Sequence, residues 1–342
     1  MSNIKFFFRA DANEKIASGH IMRCLSIAYA AKEMGIESIF ITADNKSTEI
    51  LELHGFKSIS LNSNWKKLEE EIHILLFILK RMSAEVLIID SYYVTEKYLK
   101  TLSNHLKTVY IDDVNSFIYP VDMLINYAIS AYKYNYPLHY KKIELLLGTD
   151  YVPLRKEYTC NSKRNIREEA CKLLLLSGGA DEQNALDRLL AVLCKTKYKE
   201  IIVICGKFYL KFESLCNKYI EYKNINIYKN VDNIKEFMED VDIAISAGGT
   251  TLYELCATGT PTLSYTVADN QIDNAKYFDK RRLIEYLGDI RNKDFDFNII
   301  LSKLNKLDKY DVRLKLSNKL KRAVDGKGAR RIVEKILTMK GK

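Results

Sequence analysis

Short apolar runs alternate with longer amphipathic stretches through most of the chain, and that alternation predicts βα units built around parallel sheets. Residues 4–8, 39–41, 86–89, 108–111 and 123–125 read as buried strands, and residues 21–34 as a helix stopped by Gly35. A second series follows Pro153 and the polar stretch 156–169. Its strands fall at 173–176, 201–204, 225–228, 243–246 and 261–265, with helices over 183–194 and from the Gly248-Gly249 turn to Thr258. The simplest architecture is α/β: two Rossmann-like, doubly wound domains facing a cleft, at 1–155 and 168–285, followed by a helical extension at 286–342. A chain of 342 residues has room for two such domains.

Composition narrows the class without changing that picture. Hydrophobic residues make up 47% and charged residues 28%, so each domain can bury a core, and with only 14 Gly and 4 Pro the chain is not linker-rich. No apolar run approaches the roughly 20 residues of a membrane span, and no basic segment followed by an apolar core opens the sequence. A cytoplasmic protein without stable membrane insertion is the expectation. Seven cysteines, at 24, 160, 171, 194, 205, 216 and 256, form no Cys-x-x-Cys pair and no Cys/His cluster, which points to reduced thiols and to neither a metal site nor a cofactor. The net charge of +9 is concentrated at the end: residues 301–342 carry 14 basic and 4 acidic side chains, and the rest sums to −1. Leucines are spread through this basic segment, so it reads as a solvated helical face and no nucleic-acid partner is expected.

Chemistry is suggested where glycines and polar residues follow the strands. Arg9 and Asp11 end the first strand, and Ser18-Gly19-His20 opens the next helix with Arg23 one turn on. Gly19 permits close backbone approach to a ligand, and the positive end of the helix keeps a first-turn imidazole neutral and basic. Asp90, Asp112, Asp113 and Asn126 stand at later strand ends, where open α/β sheets bind ligands. In the second half, Gly248-Gly249-Thr250-Thr251 opens a helix whose free N–H groups and hydroxyls suit a diphosphate, with Glu254 placed for ribose hydroxyls. The Thr251–Glu254 spacing also satisfies a capping box. Asp269 fits a helix N-cap ahead of Asn270 and Gln271, whose amides suit sugar hydroxyl or acetamido groups. Ser177-Gly178-Gly179 forms a further glycine-rich strand end. There is no Gly-x-Gly-x-x-Gly and no Walker lysine.

Together these motifs resemble the UDP-sugar hydrolases of pseudaminic acid biosynthesis, the PseG type. The resemblance rests on Arg-x-Asp with Gly-His-x-x-Arg-Cys-Leu, Asp90-Ser91-Tyr92, Ser-Gly-Gly-Ala-Asp, Gly-Gly-Thr-Thr-x-x-Glu and Ala-Asp-Asn-Gln, and it covers nearly the whole chain. It implies a GT-B-like fold and hydrolysis of UDP-2,4-diacetamido-2,4,6-trideoxy-β-L-altropyranose to UDP and the free sugar. By that likeness His20 activates water without a metal, Tyr92 and Asn270 complete the catalytic set, and the substrate is held by Arg9, Asp11, Gly19, Arg23, Ser177, Gly178, Gly179, Gly248, Gly249, Thr250, Thr251, Glu254 and Gln271. Ser91 and Tyr93 depart from the family's histidine and glycine, which implies an altered sugar. The alternative is a GT-B glycosyltransferase using a UDP-sugar donor, since that fold shares the second-domain motif. A non-catalytic nucleotide-sugar binder is the rival from another class.

Overall fold

The computed structural model describes residues 4–13, 16, 18–159 and 164–339; Cys160 lies outside them. The chain divides into two compact units, one formed by residues 1–156 with 326–342, the other by residues 157–325. The first unit holds seven strands: β1 (Lys5–Ala10), β2 (Glu37–Thr42), β3 (Lys57–Ser60), β4 (Val86–Asp90), β5 (Lys107–Ile111), β6 (Met123–Asn126) and β7 (Glu144–Leu147). All pair in parallel, in the order β3-β2-β1-β4-β5-β6-β7. The second unit holds β8 (Lys172–Leu176), β9 (Glu200–Cys205), β10 (Ile225–Lys229), β11 (Ile243–Ala247), β12 (Thr262–Thr266) and β13 (Glu285–Asp289), also parallel, in the order β10-β9-β8-β11-β12-β13. Both are Rossmann-like sheets, with helices on both faces as parallel pairing requires.

The central strands are apolar on both faces because helices cover both; Phe6, Phe7 and Phe8 are all fully enclosed. Two strands at sheet edges carry no such run: β3 is Lys-Ser-Ile-Ser and β13 reads Glu-Tyr-Leu-Gly-Asp. The last corrects the expectation of an all-helical segment beyond residue 282. β13 pairs with β12 through a register shift at Ser264/Tyr265, beside Gly288 at φ +110°.

The stretch read as one extension is shared between the units. Helices Asn298–Leu307 and Tyr310–Ala323 belong to the second. There Arg313, fully buried, donates to the carbonyls of Leu307, Arg167 and Glu168, each at 2.9 Å, tying the helix to the segment entering β8. The final helix, Gly328–Thr338, returns to the first unit and packs on helix Gly19–Glu33, burying Ala329, Ile332, Val333 and Ile336. Its first residue, Gly328, lies so close to the loop at Tyr151–Val152 that a Cβ there would collide with the Val152 backbone.

Gly328→Ala is therefore expected to cost about 1–3 kcal/mol, the usual penalty for overpacking, read as a lower urea midpoint of the first unit.

Candidate active site

In each sheet the strand order reverses once, between β1 and β4 and between β8 and β11, and at that reversal the loops leave in opposite directions. Some of the residues singled out from the sequence lie at these two places, and others do not.

In the first unit, β4 ends in Asp90, 1% exposed, and helix Gly19–Glu33 brings His20 and Arg23 against it. His20 Nδ1 lies 2.6 Å from Asp90 Oδ1. A carboxylate only accepts, so Nδ1 carries a proton, and in the neutral ring the lone pair lies on Nε2. Arg23 clasps both oxygens of Asp90 and donates to Asp113 at 2.8 Å and to the Tyr127 hydroxyl at 2.9 Å. Burial alone would raise the Asp90 carboxyl; Arg23 and His20 outweigh it and hold the group below its ordinary range. Tyr92, half exposed, sets its ring edge-on to His20 at 4.5 Å and donates to Asp113 at 3.2 Å. Burial, reinforced by the Asp113 charge, raises its phenol, so it remains a neutral donor.

Other expected residues are turned inward. Arg9 is fully buried, donating to Glu71 at 2.6 and 2.9 Å and to Asp11 at 2.6 Å, while Asp11 accepts the Ala43 N–H at 2.7 Å. Both are thus built into the fold and offer no group to a ligand. Glu71, which also accepts from Ser63 and Tyr98, escaped the sequence reading because it lies 62 residues from its partner. Asp112 is occupied by the hydroxyls of Tyr119 and Tyr136 and the N–H groups of Val114 and Asn115, and Asn126 by Tyr136 and Ala128. Gly19 stands exposed, with open space where a Cβ would project and no positive φ, so the fold places no demand on it.

In the second unit, three strand-end loops enclose a pocket of about 340 Å³. Its walls include Ser177, Gly178 and Gly179, then Gly249, Thr250 and Thr251, and finally Gln271. Gly178 has φ +88°, and the loop is held by Gly206, where any Cβ would collide with the carbonyls of Gly178 and Gly179. Gly206 was not among the expected residues; a lone glycine at the end of β9 was its only signal. Helix Thr251–Thr258 starts without a side-chain cap, so the Thr251–Glu254 spacing does not form a capping box. Part of its first turn is already paired, Leu252 N–H with the Gly249 carbonyl at 3.2 Å and Tyr253 N–H with that of Thr250 at 3.0 Å. Helix Ala185–Leu193, by contrast, is already capped, because Asp181 accepts from Ala185 at 2.8 Å and Leu186 at 3.0 Å. The Ser177 hydroxyl is buried with no hydrogen-bond partner, an arrangement that costs free energy unless something else satisfies it. Gly248 packs beneath the pocket against Thr266, Ala275 and Gln271. Gln271 accepts the Val267 N–H at 3.1 Å, whereas Asn270 is exposed and outside the lining. Asp269 is not the N-cap; Ala268 is, and Asp269 binds Arg291. Glu254 is half-buried, one turn into its helix and outside the lining.

With this geometry in view, the fold is GT-B: two parallel-sheet, Rossmann-like domains with helices at the C-terminus. The MurG structure of Acinetobacter baumannii superposes with a TM-score of 0.73 over 98% of this chain and 100% of its own, at 12% identity. Residues 173–334 match the Glycosyltransferase family 28 C-terminal domain. Uncharacterised protein MJ1062 of Methanocaldococcus jannaschii is 27% identical over 81% of this chain and 58% of its own length. The pseudaminic acid cytidylyltransferase and UDP-2,4-diacetamido-2,4,6-trideoxy-β-L-altropyranose hydrolase of Helicobacter pylori is 24% identical over 76% of this chain and 44% of its own. The UDP-N-acetylglucosamine–N-acetylmuramyl-(pentapeptide) pyrophosphoryl-undecaprenol N-acetylglucosamine transferase of Campylobacter jejuni is 32% identical over 54% of this chain and 53% of its own. The chain thus spans about half the length of the curated relatives it matches. Among the described residues no helix is long and apolar enough to cross a membrane.

Because Asp90 titrates below its ordinary value near 3.8 when folded, its contribution to stability is complete above that value and is lost as pH falls through the folded pKa. Asp90→Asn should flatten the acid limb of the first unit's stability profile, followed through its single tryptophan, Trp65.

Proposed function

We propose that this protein transfers a sugar from a UDP-sugar, with the second unit holding the nucleotide and His20 acting as general base. The observation that carries this reading is the second unit's pocket. Two glycine- and hydroxyl-bearing strand ends and the loop carrying Gln271 converge there around the buried, unpartnered Ser177 hydroxyl, within the span matching the glycosyltransferase domain. A diphosphate would take up the Ser177, Thr250 and Thr251 hydroxyls, with negative charge favoured at that helix end.

The chemistry follows from the His20–Asp90 pair. Nε2 removes a proton from an acceptor hydroxyl; the oxygen attacks the anomeric carbon; the bond to the β-phosphate oxygen breaks, and UDP leaves with the electron pair. Asp90, kept ionised by Arg23, stabilises the imidazolium that forms. Asn270 and Gln271 are assigned to the sugar, Glu254 to the ribose, and Tyr92 to the reacting centre beside His20.

A second reading has water as the acceptor and UDP-2,4-diacetamido-2,4,6-trideoxy-β-L-altropyranose as substrate. Its support is the Helicobacter pylori match, which at 76% of this chain is longer than the second unit and so extends into the first, where His20 lies. The N-terminal Gly-His-x-x-Arg-Cys-Leu motif adds to it.

UDP release separates the two. It would be followed with chelator present from UDP-N-acetylglucosamine and from the altropyranose substrate, with and without acceptor glycosides. Release that needs an acceptor establishes transfer; release from the altropyranose in buffer alone establishes hydrolysis; UDP bound but never released under any condition sinks both. His20→Ala should lower turnover by roughly 100- to 10,000-fold, the range for a positioned base, without weakening UDP binding. Ser177→Ala should weaken UDP binding in calorimetry while leaving the second unit at least as stable, because it removes an unsatisfied buried hydroxyl.

A further inference from the structure

We infer that Trp65 and Tyr93 form a stacking platform for a pyranose ring beside His20; the inference rests on the sugar-transfer reading above. Trp65 follows β3 and Tyr93 follows β4, two strands that are not neighbours in the sheet. Their rings nonetheless meet edge to face, 87° apart, with centroids 5.0 Å from one another. Tyr93 is 36% exposed and its neighbour Tyr92, whose ring touches His20, is 51% exposed. The two ring pairs are joined through the consecutive residues Tyr92 and Tyr93. The Lys66 ammonium lies over the Trp65 ring, 5.1 Å from its centroid, and so covers part of one ring face, leaving the other and Tyr93 for a sugar.

The two loops carrying these rings are held unusually firmly for surface segments. Leu61 and Ser63 donate backbone N–H groups to the carbonyls of Thr42 and Ala43, which carries the first loop along the end of β2. Glu71 anchors its far end through Arg9, Ser63 and Tyr98. Glu69 then stitches it to the second loop, accepting from Thr95 at 2.7 Å and Lys97 at 2.9 Å. Tyr93 is held by its N–H to the Ser91 hydroxyl at 3.2 Å, and the Tyr110 hydroxyl donates to the Ser91 carbonyl at 3.1 Å. These hydrogen bonds, some buried and some at the surface, keep the half-buried Trp65 and the exposed Tyr93 in a fixed relation, which is what stacking against a rigid ring requires. A pyranose presents one face of axial C–H groups to such a surface and hydroxyls at its edge, within reach of Lys66. The ring can come from an acceptor glycoside or from the donor itself.

Trp65 is the only tryptophan, so its emission reports on this place alone. The full chain would be titrated with UDP, with a panel of UDP-hexoses and UDP-N-acetylhexosamines, and with the matching methyl glycosides, while calorimetry follows UDP binding. An emission change with the glycosides places an acceptor ring on the platform; a change with UDP-sugars but with neither UDP nor glycosides places the donor's sugar there. Emission that is silent to every sugar, or that responds to UDP alone as strongly as to UDP-sugars, overturns the platform. If UDP binds while Trp65 stays silent, the platform falls and the sugar-transfer reading stands. If UDP does not bind but glycosides shift the emission, the reverse holds. Tyr93→Ala should raise the half-saturating sugar concentration by roughly 5-fold, the scale of one aromatic contact, with UDP affinity kept and Tyr93→Phe restoring the response. Equal loss of UDP affinity in Tyr93→Ala would mark a structural role instead.

Discussion

Parallel strand pairing is the constraint from which the rest of this molecule follows. Parallel neighbours cannot be joined by a tight turn, so each strand is reached by a crossover, and all the strand-to-helix loops of a unit emerge at one edge. Reversal of strand order then opens a gap between two of those loops, β1 with β4 in one unit and β8 with β11 in the other. The His20–Asp90 pair and the Ser177 pocket sit at those gaps. The unit that holds His20 and the unit that holds the pocket are built by the same rule.

Burying charge at such an edge costs free energy unless the charge is paired, and the first unit solves this twice in different ways. Arg9, Asp11, Glu71 and Tyr98 form a closed set deep at the end of β1, with every member committed to another. Asp90, Arg23 and His20 form an open one: Asp90 and Arg23 satisfy each other, and one imidazole nitrogen is left over. The closed set gives shape to the neighbouring loop, and the open one gives chemistry. Two Arg-carboxylate clusters that look alike in the sequence thus differ in kind.

That difference marks where the sequence was legible. Central strands such as β4 and β11 announced themselves through unbroken apolar runs, because both faces are covered. Lys57–Ser60 and Glu285–Asp289 did not, since an edge strand with one exposed side needs no such run. His20 and Arg23 drew attention by their place at one helix start, and Tyr92 only through the family resemblance. Arg9 was readable as a polar residue at the right edge but not as a buried one, because its partner Glu71 arrives from a distant loop. Gly206 was unreadable for the same reason: only the approach of the Gly178-Gly179 turn makes its missing side chain necessary. Asp269 and Glu254 were assigned capping roles by local spacing, and the backbone started those helices one residue away.

The return of helix Gly328–Thr338 to the first unit has a consequence for how the chain is made. The face of helix Gly19–Glu33 that this segment covers stays bare while the whole second unit, residues 157–325, is being synthesised. The second unit is contiguous and can finish folding on the ribosome; the first must wait with an exposed apolar strip until Ala329, Ile332, Val333 and Ile336 emerge. During translation the order of completion is therefore inverted relative to the order of the sequence, and the nascent first unit is the natural client of chaperones that shield apolar surface.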